Sequence, residues 1–181
     1  MQAETRNQRL AGGLVVAGGV LAVIAGFLGW ADFAPADAAA RKFRGVELSA
    51  GVGSLALGVA LVIVGAVLFA RGGRTGGRGA SITAIVFAAP VLLAAGYSAV
   101  APADALREFQ DGAVAGEWGI SSGISRTIEA AFARGGVEVA ALVGSWVAAV
   151  GGLLALAGGI AGLIRSRRIR GQAEAAAPLA G

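Results

Sequence analysis

The sequence predicts an all-α membrane protein with four transmembrane helices, built as two duplicated helical hairpins that carry short extracytoplasmic surface helices. Three observations predict this fold: four long apolar runs, a sorting of charge between alternate loops, and sequence blocks that recur at equivalent places. Of the 181 residues, 56% are hydrophobic and 14% are charged, whereas soluble domains are about 45–50% apolar and about 25% charged. The mean hydropathy of +0.75 also indicates a membrane protein.

Each predicted span is long enough to cross a bilayer core of about 30 Å, which requires about 20 helical residues. None contains Asp, Glu, Lys or Arg, and they cover Leu10–Trp30, Ser49–Ala70, Ala80–Val100 and Ala140–Ile164. A cleaved signal peptide is the alternative for the first run, since Ala34-Pro35-Ala36 resembles a cleavage site. We expect an uncleaved span, because the run is longer than an h-region of about 7–15 residues.

Charge predicts the orientation. The segment before the first span, the connector at 71–79 and the tail from residue 165 contain nine cations and two acids. The loops at 31–48 and 101–139 contain six cations and nine acids. By the positive-inside rule, both termini are expected in the cytoplasm of a plasma-membrane protein. The basic isoelectric point then reflects contact with the lipid bilayer rather than nucleic acid. The expected interfacial anchors are Trp30, Tyr97, Arg71, Arg165, Arg167 and Arg168.

Two pairs of blocks predict the duplication. Residues 30–38 and 97–105 each have an aromatic residue followed, at the same spacing, by Ala-Pro-Ala-Asp-Ala, and seven of ten residues are identical between 45–54 and 136–145. Both hairpins would enter the membrane in the same direction, which makes a parallel repeat. We therefore divide the chain into a first hairpin with its basic connector (1–79), a second hairpin (80–164) and a basic, Ala-rich cytoplasmic tail (165–181). Pro35 and Pro102 suit the first turn of a helix and predict the surface helices.

The second outer loop is longer than the first by an insertion at about 110–135. Apolar residues recur there every four positions, as in an amphipathic helix. The helix either packs over the outer ends of the bundle or binds a partner. The candidate partner-binding residues are Trp118, Ile124, Ile128 and Phe132.

Four outer carboxylates occupy repeat-related positions: Asp37, Asp104, Glu47 and Glu138. Oxygen ligands suit calcium or magnesium, but helix capping and ion pairs explain the same pattern. The chain has no Cys and no His, so thiolate and imidazole chemistry is unavailable within it. We expect no metal and no cofactor.

Small residues recur at a spacing of four within the spans, which lets helix backbones approach closely. The fourth span has them on more than one face, which favours a homo-oligomer or contact with other membrane subunits. The expected packing positions are Gly18, Ala22, Gly26, Gly58, Gly144, Gly152 and Gly159.

The absence of charge inside the spans disfavours an ion-coupled transporter, because such proteins keep ionisable groups in the membrane. No enzyme motif is present. We expect a non-catalytic accessory, assembly or scaffold subunit that presents an extracytoplasmic loop. The alternatives are a channel or facilitator for a neutral or lipid-like solute, and an envelope-stress or lipid sensor.

An aromatic residue ends the first span, a basic loop joins the two halves and an Arg-rich tail follows the last span. In this arrangement the chain resembles uncharacterised four-span integral membrane proteins of high-GC actinobacteria. The resemblance implies the topology and no particular activity.

Overall fold

The protein is mostly helical, with four helices that are long and apolar enough to cross a membrane. The computed structural model describes residues 2–35, 40–70, 77–105, 130 and 132–176. Its helices are α1 (Gln2–Phe27), α2 (Ser49–Ala70), α3 (Gly77–Val100) and α4 (Val143–Ala176). A helix satisfies all its own backbone hydrogen bonds, which apolar runs in a bilayer require.

The four helices form a ring in chain order. The helix α1 packs extensively on α2 and α4, and α3 packs on α4 and less closely on α2, while the diagonal pairs barely meet. The shared core consists of small and branched side chains, among them Val15, Leu61, Ala88, Val91 and Ala155. Consecutive helices therefore run antiparallel around a filled centre.

A three-stranded antiparallel sheet caps one end of the bundle, which we call the sheet end. Its strands are β1 (Gly29–Pro35), β2 (Arg41–Arg44) and β3 (Val137–Ala141). The order is β2-β1-β3, so β1 pairs with a strand on each side. A 3₁₀ turn, Gly45–Glu47, connects β2 to α2. The opposite end, where α1 begins and α4 ends, is the arginine end.

The sheet corrects the all-α expectation. Gly29–Pro35 is a strand, so Pro35 ends a strand, near the sheet margin where a missing N–H is tolerated. The surface helix expected after it would fall on residues 36–39, which lie outside the described residues. Residues 102–105 form a helical turn, and the rest of the surface helix expected after Pro102 lies outside the described residues. Pairing with β1 also shortens the first and fourth spans, because Trp30 and Ala140 are strand residues.

The repeated blocks differ in local structure. Trp30 to Phe33 form part of β1, whereas the matching segment from Tyr97 to Val100 ends α3. Similarly, Gly45–Glu47 is a 3₁₀ turn and the matching Glu138 lies in β3. The central strand has a partner on both sides, which leaves no place for a second copy of it in the sheet.

Candidate functional site: the sheet end of the bundle

Trp30 connects the sheet to the helices. Its side chain is 1% exposed and is grouped with Ala25, Ala50, Ala95 and Ala148, one residue from each helix. The indole Nε1 donates a hydrogen bond to Ala25 O over 2.7 Å. The ring therefore fills the centre of the bundle at the sheet end.

The backbone of β1 turns the indole inward. The β1–β2 register slips by one residue between Gly29 and Ala31, so Trp30 is the extra residue of a bulge. Bulges redirect a side chain relative to the regular pleat. On the other side, Leu142 N donates to Trp30 O over 2.9 Å, which fixes the same residue to the start of α4.

Two glycines make room for the ring. A Cβ added to Gly45 would lie 2.6 Å from Trp30 Nε1, and one added to Gly144 would lie 2.5 Å from Trp30 Cδ1. Both distances are shorter than van der Waals contact, so no larger residue fits beside the indole without movement. Gly144 was expected as a helix-packing position, and the surface it faces is this indole.

The position of Trp30 differs from that of a lipid-facing anchor, because the side chain points into the protein. Tyr97, near the same end of α3, is 39% exposed. The aromatic residues expected as a matched pair of anchors therefore occupy different environments. The sequence feature that allows Trp30 to point inward is the pair of small residues Gly45 and Gly144, which are not adjacent to Trp30 in sequence.

A cavity of about 20 Å³ lies beside the indole. This volume holds about one water molecule, so it offers no room for an organic substrate. Among the lining residues, Ser98 donates its hydroxyl to Ala94 O over 2.9 Å. The cavity is lined by Trp30, Ala31, Leu48, Ala50, Ser98, Pro102 and Ala105.

Buried hydroxyl groups in the described helices are mostly satisfied by their own backbone. Ser81 Oγ donates to Gly77 O over 2.8 Å, and Ser145 Oγ donates to Leu142 O over 2.9 Å. Ser54 Oγ is buried without a partner. Each of these hydroxyl groups acts locally, and together they do not line a continuous polar path through the described core.

The sheet has two chemically different faces. Phe33 and Phe43 are buried on one face, with ring centroids 6.3 Å apart, and Phe132 packs edge-on at 6.0 Å from Phe33. Side chains alternate along a strand, so Asp32, Lys42 and Glu138 belong to the opposite face. Lys42 and Glu138 are exposed there.

Asp32 is the central residue of this charged face. It lies opposite Lys42 on β2 and opposite Ala140 on β3. Because Trp30 O accepts from Leu142 N, the backbone polar groups of Trp30 and Asp32 face β3, and Asp32–Lys42 is a non-hydrogen-bonded pair. Asp32 Oδ1 is shielded from solvent and has no hydrogen-bond partner among the described residues.

The other expected site residues at this end have local roles or lie outside the described residues. Phe132 precedes a turn in which Gly135 and Gly136 have φ of 77° and 74°, a conformation that glycine adopts without strain. This turn directs Phe132 back onto Phe33. Trp118, Ile124, Ile128 and Asp37 lie outside the described residues.

The outer carboxylates that the structure describes do not converge. Glu47 accepts a hydrogen bond from Arg44 N over 2.8 Å, which caps the 3₁₀ turn. Asp104 and Glu138 are exposed. Within residues 2–35, 40–70, 77–105, 130 and 132–176, no group of three acidic, His or Cys side chains is placed to hold a metal ion.

The packing glycines are used between helices of the same chain. An added Cβ would lie 2.7 Å from Ala155 N at Gly18, 2.9 Å from Leu55 Cδ1 at Gly26 and 2.9 Å from Gly19 O at Gly58. On α4, it would lie 2.8 Å from Leu92 N at Gly152 and 2.8 Å from Ile85 Cγ1 at Gly159. Ala22 is fully buried.

The two small-residue faces of α4 have separate uses within the chain. Gly151 and Gly158 lie against α1, and Gly152 and Gly159 lie against α3. Because α1 and α3 cover both of these faces, the small residues of α4 no longer indicate contact with a second subunit.

Cations mark the arginine end. Arg9 lies over the ring of Phe69, with Cζ 5.9 Å from the centroid. Arg167 and Arg168 are exposed, whereas Arg165 is partly buried and its Nη1 has no hydrogen-bond partner in the part of the chain that the structure describes. Arg71 lies outside the described residues.

No protein-family model, curated protein or solved structure matches the chain.

Proposed function

We propose that the protein is a non-catalytic membrane scaffold or accessory subunit whose helices form a rigid base for a sheet that contacts a partner protein. One observation carries this proposal: Trp30 is at once a residue of β1 and part of the buried cluster to which all four helices contribute at the sheet end. A surface built on a strand fixed in this way is held more firmly than one on a free loop.

Because the helix-packing surfaces are occupied within the chain, we place the partner contact on the sheet and not on the helices. Glycines on both faces of α4 lie against α1 and α3, so the stripes do not call for helices from a second subunit. The charged face of the sheet, with Asp32, Lys42 and Glu138, is the better candidate contact. Asp32 is partly exposed on this face, and its shielded Oδ1 accepts from no donor of the described chain.

The packed interior favours a scaffold over a facilitator that conducts solute through the bundle. Trp30 fills the sheet end, and the cavity beside it accommodates about one water. We keep the orientation with both termini in the cytoplasm as part of the proposal, together with the parallel duplication. A ring in which α1 lies opposite α3, and α2 opposite α4, has the arrangement that a twofold repeat produces.

Photo-cross-linking in intact membranes tests the proposal. A photoreactive residue at Lys42 or Glu138 is expected to give one discrete protein adduct, identifiable by mass, and Asp32→Asn is expected to reduce its yield. The matched control is Val86, an exposed apolar position on α3, where only lipid adducts are expected. Protein adducts at Val86 alone would show that the helices make the contact. A protein that forms no adduct anywhere and runs as a monomer in mild detergent is not a scaffold.

A further inference from the structure

Arg165 lies near the end of the fourth candidate membrane span, Val143–Arg168. At 1.5 Å per residue, it is about 33 Å along the helix from Val143, close to the thickness of a bilayer core of about 30 Å. The helix continues to Ala176. In a bilayer that α4 crosses from Val143, this position is the level of the lipid phosphates at the arginine end.

The Arg165 side chain is partly shielded by the protein and partly exposed. Its Nη1 is shielded from solvent and has no hydrogen-bond partner among the described side chains, while the residue as a whole is partly exposed. A partly buried charge is costly unless an opposite charge compensates it. The described side chains around it supply no such charge.

The helix register places Arg165 on the side of α4 that packs on α1, one heptad beyond Gly158. An added Cβ would lie 2.7 Å from Ala11 O at Gly158, and 2.5 Å from Ser81 Oγ at Gly162. The neighbouring helix ends carry Arg9 and Arg78, both exposed. The described side chains at this end therefore include five arginines and no carboxylate: Arg9, Arg78, Arg165, Arg167 and Arg168.

We infer that Arg165 binds the phosphate of an anionic phospholipid headgroup at the arginine end of the bundle. Guanidinium matches a phosphate with two parallel hydrogen bonds, and burial of Nη1 limits the directions that the group can take. The surrounding cations attract a lipid with net negative charge over a zwitterionic one. The inference is independent of the sheet and of the proposed scaffold role.

The rival counter-ion is Glu4 of the same chain. Contacts of Gly151 with Gly18 and of Gly158 with Ala11 set the register between α4 and α1. One heptad further on, Arg165 lies opposite Glu4. The experiment must therefore separate a lipid phosphate from this carboxylate.

The test measures lipid binding to the purified full chain in a neutral detergent, by native mass spectrometry and by thermal stabilisation. The probes are phosphatidylglycerol, phosphatidylcholine and inorganic phosphate. Phosphatidylglycerol is expected to bind most tightly, and Arg165→Gln is expected to weaken it about tenfold or more, as loss of a charged hydrogen bond does. The matched control Arg168→Gln removes the same charge from an exposed site and is expected to change affinity by less than about threefold.

Arg165→Lys keeps the charge and loses the two-pronged geometry, so an intermediate loss is expected even if the glutamine variant does not fold. Equal losses in Arg165→Gln and Arg168→Gln would show unspecific attraction and overturn the site. Stabilisation by inorganic phosphate as strong as that by phosphatidylglycerol would overturn the lipid assignment. An unchanged lipid affinity in Arg165→Gln, with equal thermal losses in Arg165→Gln and Glu4→Gln, would assign the counter-ion to Glu4.

Discussion

The indole of Trp30 donates a hydrogen bond to the carbonyl oxygen of Ala25 over 2.7 Å, although the first residue belongs to β1 and the second to α1. Leu28 N donates to the same carbonyl over 3.1 Å as the helix ends. One acceptor thus receives both the closing bond of α1 and the bond that fixes the sheet.

Trp30→Ala is expected to lower the free energy of unfolding by about 3–5 kcal/mol, because it empties a closely packed site. Trp30→Phe keeps most of the ring and loses the hydrogen bond, so about 1–2 kcal/mol is expected. Thermal unfolding in detergent measures both. The control is Trp146→Phe, since Trp146 is 53% exposed and its replacement should cost less than about 0.5 kcal/mol. Equal losses at the two tryptophans would contradict the buried position of Trp30.

Gly18→Ala and Gly13→Ala are expected to change stability in opposite directions. A Cβ at Gly18 would meet Gly151 O and Ala155 N of α4, and such overpacking costs about 1–3 kcal/mol. At Gly13 nothing lies within 4 Å, so alanine should stabilise the helix by about 0.5–1 kcal/mol. Melting temperatures of the two variants provide the measurement. A destabilised Gly13→Ala beside a neutral Gly18→Ala would place α4 elsewhere.

The double variant Asp32→Cys/Lys42→Cys is expected to form a disulfide under mild oxidation. Side chains of a directly opposed antiparallel pair have Cβ atoms about 4.5–5.5 Å apart, which small movements bring within the range for an S–S bond. Because the chain contains no cysteine, the gel shift on reduction reports this bond alone. Asp32→Cys/Glu138→Cys is the control, since the two positions are diagonal and lie about 7–8 Å apart. Cross-linking only in the control would require another register.

Lys42→Cys and Arg168→Cys test the proposed orientation, because both positions are exposed and lie at opposite ends of the bundle. In intact cells, a membrane-impermeant maleimide is expected to label the first variant and to label the second only after lysis. The physical basis is the excess of Arg in short segments at the arginine end. The reverse labelling pattern would place the sheet in the cytoplasm.

The spans were predictable because a long apolar run in a bilayer must satisfy its own backbone hydrogen bonds, which a helix does. The second span, Ser49–Ala70, agrees with α2 at both ends. The first and fourth were extended too far, since Trp30 and Ala140 are as apolar as their helical neighbours and only pairing in the sheet removes them from the helices. The apolar composition of a segment indicates that it is buried in lipid or protein, but it does not show whether its backbone bonds within a helix or to another strand.

The strands were harder to predict because they are short and their partners are distant. Val137, Glu138 and Val139 alternate in polarity after two glycines, a weak strand pattern that is visible only in retrospect. The direction in which the Trp30 side chain points could not be predicted from the sequence, because it also depends on distant residues. Its position in the chain gives its depth along the bundle, whereas pointing inward depends on the space left by Gly45 and Gly144.

The central place of β1 has a consequence for biosynthesis. Its two partners are made at very different times: β2 follows within a few residues, whereas about 100 residues separate β1 from β3, or about 5–20 s of translation. During that interval one edge of β1 is without its strand. Insertion of the last helix is therefore the step that closes the sheet, so a ribosome stalled before β3 would leave an exposed edge for chaperones and proteases to recognise.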